Sequence, residues 1–391
     1  MSASDWRQAM NAGSGRRAML SSRPAAAVAV GGVAMTPPGV DDGSPRWLRY
    51  LWRHVRARHV FVLLLVLGFP LVASPFFTFQ IGAQALALGI IALSLSFLGG
   101  YGGMISLAQM TVAGIAGYAV AILGVSGTES ISLGWPWYVV VPFAVVIATV
   151  AGTLIGWLSV RTEGIYTIMI TLAVGVAFHY LVLQNYSIFG GFQGLQKVYP
   201  PHVFGLDWRA PVPFYYLCLA VALAAYFLVR YIIGAPFGVA LQGIRDNPRR
   251  MNSLGFAVTG HRVAAYALAG LIAAAGGVLF TWYNGLITPG SVGTSWLINV
   301  LVIAVLGGMR HPIGAFLGAI VFVLLQNFAI DVFDRERFNL VIGGMFLAIV
   351  LFSPDGLLGL WERFSRRFVA KSDAAAGRGE TGSGSGGRST R

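Results

Sequence analysis

The residues of this chain that could do chemistry are few and gathered. The densest group lies in Gly234–Arg262, which carries Arg245, Asp246, Arg249, Arg250 and Arg262 in the middle of an otherwise apolar sequence. A segment this charged cannot sit in hydrocarbon, so it reads as a loop in water. Its local signals predict two short helices. Gly238 to Ile244 suits one or two turns. Asp246 or Asn247 can cap a second helix, with Pro248 at its first position and Gly255 closing it. The plain alternative is a solvated loop that obeys the positive-inside bias.

A second group is neutral. Gly99–Tyr118 sets Ser106, Gln109 and Thr111 within about two helical turns, among glycines that allow broken or closely packed backbone. Thr167 to Thr171 interrupts a later apolar run, with Thr171 as a further pathway candidate, and Ile188–Leu195 is a glycine loop containing Gly190, Gly191 and Gly194. Small residues of this kind also serve plain helix packing. As a pathway, such groups suit a zwitterion or an amide, because a bare ion would find no partner for its desolvated charge.

Several chemistries are excluded. A phosphate-binding loop needs a lysine after its glycines, and the only lysines are Lys197 and Lys371, neither in that setting. The histidines are scattered, with neither helical pairs nor cysteine partners, so no metal site is expected. Ionisable groups inside apolar runs are almost absent. His179 is the exception, and a lone interfacial histidine suits a packed hydrogen-bonding role. That absence argues against a proton-coupled carrier. It leaves a route for a neutral or zwitterionic solute, driven by something attached from outside.

The elements that must position these groups are apolar helices. The chain is 56% hydrophobic and only 10% charged, with a mean hydropathy of +0.72. Soluble domains average about 25% charged residues, so this is an all-α polytopic membrane protein. About ten transmembrane helices are predicted by apolar length: Val60–Phe77, Gln80–Leu98, Met104–Leu123, Trp137–Val160, Gly164–Leu183, Pro213–Ile233, Val263–Tyr283, Ser295–Met309, Pro312–Ile330 and Phe338–Ser353. The first contains Pro70 and Pro75 and is expected to kink, and the eighth abuts Gly307–Gly308 and is expected to tilt or break. Residues 1–44 read as a disordered tail, 45–59 as a basic interfacial segment, 60–360 as the transmembrane domain with the loop 234–262, and 361–391 as a basic then Gly/Ser-rich tail. The net charge of +13 does not point to nucleic acid, because the basic residues cap hydrophobic runs. Arginine asymmetry places both termini and the 234–262 loop in the cytoplasm.

Taken together, these stretches resemble the M-type permeases of branched-chain amino-acid ABC importers. Gly103, Ser106, Leu107, Gly117 and Tyr118 match one family motif, with Ala108–Gln109 where Gly-His usually stands. Arg161, Gly164, Tyr166, Thr171, Leu172 and Ala173 match a second, and Val174–Ala177 replaces its usual acidic residue. Phe189–Gly191 with Gly194–Leu195, Leu306–Ala315, and Phe352–Leu357 match further motifs. Ile244–Asn247 and Leu254–Gly255 match the family's coupling segment, with Arg249–Asn252 in place of an Ala-rich part. The resemblance covers roughly Val60 to Leu360.

It implies an ABC importer permease fold in a bacterial plasma (inner) membrane, and a subunit that is no enzyme itself. Gly238, Ile244, Arg245, Asp246, Asn247, Pro248, Arg249 and Gly255 would then form the segment that docks into a separate ATPase. The Gly190, Gly191 and Gly194 loop would receive an extracytoplasmic solute-binding protein. The implied partners are a homologous second permease, two ABC ATPase subunits that hold the ATP and magnesium, and that binding protein. No cofactor is implied for this chain. Relatives in the family take urea, short amides or other amino acids, and sugar-importing permeases are a related branch. An autonomous secondary carrier is the competing class, and neighbouring genes for an ATPase and a binding protein would discriminate against it.

Overall fold

Apolar length and helix breakers set the elements. In the computed structural model, residues 66–332 are described apart from 71–72, 128–131, 163 and 202–206, together with 343–344, 347, 356–357 and 359. The expectations for 1–44, 45–59, 361–391 and nearly all of the span Phe338–Ser353 fall outside the described residues.

The chain order is α1 (Phe77–Tyr101), α2 (Gln109–Leu123), α3 (Trp137–Ser159), α4 (Ile165–Gln184), the single turn α5 (Tyr186–Phe189), β1 (Leu195–Gln196), α6 (Pro211–Gly234), α7 (Pro236–Asp246), α8 (Pro248–Ser253), α9 (Val258–Asn284), β2 (Leu286–Ile287), α10 (Thr294–Gly307) and α11 (Pro312–Val332). Among the described residues, α1, α3, α4, α6 and α9 are each long and apolar enough to cross a membrane. With α2 counted, successive helices alternate in direction. One end of the bundle, its basic end, therefore gathers Arg161, Arg230, Arg245, Arg249, Arg250, Arg262 and Arg310. The opposite end carries the 190–197 loop, held by β1 pairing antiparallel with β2.

Helix α1 is the spine. Nearly all of its side chains from Gln84 to Leu98 are buried, and it packs with α9, α10 and α11 into one core that includes Leu93, Phe97, Ile272, Ile303 and Phe322. Helix α4 is the reverse case. It buries Thr167, Thr171, Gly175 and Val182 and leaves much of its remaining apolar surface open, as a helix facing lipid or another subunit can.

Four expected spans differ in the structure. The run Met104–Leu123 begins its helix only at Gln109, because Gly103 has φ +68° and the backbone from there to Leu107 is irregular. Helix α2 is thus 15 residues, about 22 Å, against roughly 30 Å of hydrocarbon. The expected eighth and ninth spans form a single bent pair, turning 117° at the break between Gly307 and Pro312. Gly307, Gly314 and Gly318 press backbone on backbone at the inside of that bend, where a Cβ on any of them would overlap a main-chain carbonyl. Of the expected first span, Val66–Pro70 is helical, while Pro75 and Phe76 already lead into α1, which claims Phe77.

Candidate functional site

Two groups of candidate residues lie at and just inside the basic end. The first is the segment after α6. Its helix α7 is amphipathic. Gly238, Ala240, Leu241 and Ile244 are buried on one face, while Val239, Arg245 and Asp246 are exposed on the other. Asn247 caps α8, its side-chain oxygen accepting the Arg250 N–H at 2.9 Å, with Pro248 at the first turn. Gly255 comes next at φ +86°. The second short helix was legible from its cap, its proline and its closing glycine. The cap is Asn247, because Asp246 is engaged otherwise. Its carboxylate accepts from Arg245 Nε at 3.0 Å and pairs with Arg245 Nη2 at 2.9 Å. This pair is well exposed and contributes little stability.

The second group surrounds the start of α2. Ser106, Gln109, Thr111 and Thr171 are all buried, at 0 to 2% exposure. The irregular segment before α2 leaves N–H groups that a buried helix start must satisfy. Leu107 N–H donates to Thr171 Oγ1 at 3.1 Å, and Ala108 N–H to Ser106 Oγ at 3.3 Å. Thr171 in turn donates to the Ile168 carbonyl. The Gln109 amide meets Ser94 of α1, Oε1 to Oγ 3.1 Å, while that hydroxyl also lies 2.6 Å from the Ile91 carbonyl. Thr111 Oγ1 is buried without a partner, facing Gly175 of α4. The buried Tyr266 hydroxyl of α9 lies beside Ser106 and Ser159 without a hydrogen bond of good geometry.

Thus the four neutral candidates converge, although Thr171 is more than sixty residues from Ser106 in sequence. They do so as a sealed polar knot in the isolated chain. Toward the basic end, a cavity of about 240 Å³ opens beneath the knot. Gly103, Met104 and Ile105 form one wall, α3, the turn after it and α4 contribute Ser159, Thr162 and Thr167, and Pro248 of α8 and Arg262 of α9 close it. Its hydroxyls are satisfied locally: Ser159 donates to the Ile155 carbonyl, Thr162 to Ser159, and Thr167 to Thr162. Three participants escaped the sequence reading. Ser94, Tyr266 and Ser159 sit inside helices, and only their spatial convergence on Gln109 and Ser106 marks them.

The glycine loop at the opposite end needs its glycines. Gly190, Gly191 and Gly194 all have positive φ, which side chains rarely adopt. A Cβ at Gly190 or Gly194 would also meet main-chain atoms. The loop presents Phe192 outward, 84% exposed. His179 packs behind it as expected, Nδ1 2.9 Å from the Pro289 carbonyl. Among the described residues no cluster of His, Cys, Asp and Glu could hold a metal.

Comparison with known proteins completes the assignment. The high-affinity branched-chain amino acid transport system permease protein LivM of Escherichia coli is 27% identical over 331 residues, 78% of this chain and 75% of that protein. The protein of the same description from Salmonella typhimurium is 26% identical over 69% of this chain and 67% of its own length. The probable branched-chain amino acid transport permease protein LivM of Methanocaldococcus jannaschii is 22% identical over 55% of this chain and 67% of its own. No solved structure matches. The family model for the permease component of branched-chain amino acid transport systems matches residues 77–350, more than half of the chain, and the protein therefore belongs to that family of multi-pass membrane permeases.

Proposed function

We propose that this chain is one of two homologous permease subunits of an ATP-driven importer of branched-chain amino acids. It lies in a bacterial plasma membrane with about ten spans and both termini in the cytoplasm. Two ABC ATPases carry the ATP and magnesium, and an extracytoplasmic binding protein delivers the solute. The observation that carries this reading is α7–α8. It is a capped helical pair between two long apolar helices, apolar face inward and Arg245, Asp246 and Arg249 outward. Such a rigid charged knob suits docking to a soluble partner that must hold its register.

The pathway in this reading runs through Ser106, Gln109, Thr111 and Thr171 into the cavity beneath them. An amino acid already selected by a binding protein requires only weak, neutral contacts on the way. The start of α2 lies at this region, and the positive end of its helix dipole favours a passing carboxylate. The Gly190, Gly191 and Gly194 loop is the docking point for the binding protein, held stiff by β1–β2.

The reading is tested by reconstituting the chain with the ATPases, second permease and binding protein encoded beside it. ATP-dependent uptake of radiolabelled leucine is expected. Arg245→Glu should assemble but hydrolyse ATP without uptake. ATP turnover in the parent without movement of leucine, isoleucine or valine would exclude this solute class.

A further inference from the structure

Two backbone sites at the basic end accept hydrogen bonds from side chains of other elements. The first is the end of α1, where Phe97–Tyr101 is a π-helical turn. The last carbonyls of a helix have no partner within it. Here Gly100 O accepts Arg245 Nη1–H of α7 at 2.6 Å, a cation at the negative end of the helix dipole. The second is the α10–α11 break, where Arg310 O accepts the Tyr101 hydroxyl at 2.9 Å. Packing repeats this connection. A Cβ at Gly103 would meet the stem of Arg245, and Leu241 of α7 lies against Gly102. On the other side, a Cβ at Gly100 would overlap the Met309 carbonyl, and one at Gly99 would meet the Met309 sulfur. The irregular segment after α1 runs past the cavity wall into Ser106 and Gln109.

We propose that the π turn Phe97–Tyr101 is a relay joining α7 to both the Ser106–Gln109 segment and the α10–α11 bend, with Tyr101 as its positioning residue. The role in transport rests on the importer reading; the mechanical connection does not. A π turn differs from an α turn by one residue of hydrogen-bond register. Changing that register rotates the downstream chain by about 100°, so the turn is a discrete two-state element and not a flexible joint. Movement of α7 pulls on Gly100 through Arg245. The register change then swings Tyr101 against the bend and shifts Gly103–Ile105 along the cavity. Gly99, Gly100 and Met309 transmit by contact, and Tyr101 by its hydroxyl.

Amide hydrogen exchange on the full chain in lipid nanodiscs tests the connection by itself. Arg245→Gln and, separately, Tyr101→Phe should each accelerate exchange about fivefold in both 98–108 and 308–314, the effect of one lost hydrogen bond. Helix α3 should keep the parent rate. Arg245→Lys, which can still donate to Gly100 O, should restore most of the protection. Acceleration confined to α7 in Arg245→Gln, with 308–314 unchanged, would overturn the relay. In the reconstituted complex, Tyr101→Phe should keep ATP turnover and binding-protein affinity while leucine moved per ATP falls severalfold. An unchanged ratio would remove Tyr101 from the relay. A parent complex that moves no leucine would instead sink the importer reading, with the exchange result still standing.

Discussion

At the scale of single residues, neighbours of similar chemistry have separate duties. Asp246 and Asn247 are both good helix caps, and only Asn247 caps. We expect Asn247→Ala to cost about 1 kcal/mol of local stability in α8, seen as faster amide exchange at Arg249–Met251. Asp246→Asn should leave that exchange unchanged, and the reverse pattern would contradict the cap. Gln109 is the second test. Its amide meets Ser94 in a buried setting, so Gln109→Ala leaves Ser94 to its Ile91 bond and opens space beside Ser106. Gln109→Ala and Gln109→His should change the uptake rate or the preference among leucine, isoleucine and valine, with binding-protein affinity unchanged. Parent rate and preference in both variants would leave Gln109 a packing residue.

At the scale of elements, close backbone approach decides the shape. Helices α10 and α11 fold into a V because Gly307, Gly314 and Gly318 carry no side chain at the inner face. Gly318 lies against the Ile303 carbonyl and the Gly307 backbone. Gly318→Leu must open the bend, at a cost of about 1 to 3 kcal/mol from overpacking. We expect lower thermal stability of the purified subunit and loss of the Tyr101–Arg310 contact. Gly290, where a Cβ would meet only the Thr288 hydroxyl in ordinary contact at 3.5 Å, should accept alanine with far less effect. Equal stability of Gly318→Leu and parent would mean that the V is held by something other than this contact. The same reasoning explains the short α2. Gly103 at positive φ ends the continuity with α1, and the chain returns through an irregular segment whose N–H groups are taken up by Thr171 and Ser106.

At the scale of the whole molecule, the arginine asymmetry becomes a topological statement. Arg249 belongs to the end that gathers the cations, and Ser187 to the end that carries the glycine loop. Both residues are exposed. Cysteines placed at Ser187 and Arg249, in a chain whose own Cys218 is buried, should react with impermeant maleimide from opposite faces of the membrane. Reaction of both from the same face would sink this topology, and with it the proposed docking of α7–α8 to an ATPase. Helix α4 turns Thr167 and Thr171 toward the cavity and the polar knot and leaves a broad apolar face open.

Much of this protein could be read from its sequence, because the information is local or additive. Membrane class comes from summed apolarity, and the long helices α3, α4, α6 and α9 from uninterrupted runs. The pair α7–α8 comes from a cap, a proline and a glycine within one short stretch. The order of the motifs pointed to the permease family to which the chain belongs. Tertiary structure alone decided what depends on distance in space. Hydropathy registers that Pro312–Ile330 is apolar, but not that it doubles back on α10, since a tight glycine contact leaves no trace in composition. Nor does it reveal that Thr171 serves the backbone at Leu107, that Ser94 holds Gln109, or that Arg245 and Tyr101 donate to carbonyls in other parts of the chain. Each of those is a hydrogen bond between residues far apart in sequence, and such a bond exists only once packing has brought donor and acceptor within about 3 Å.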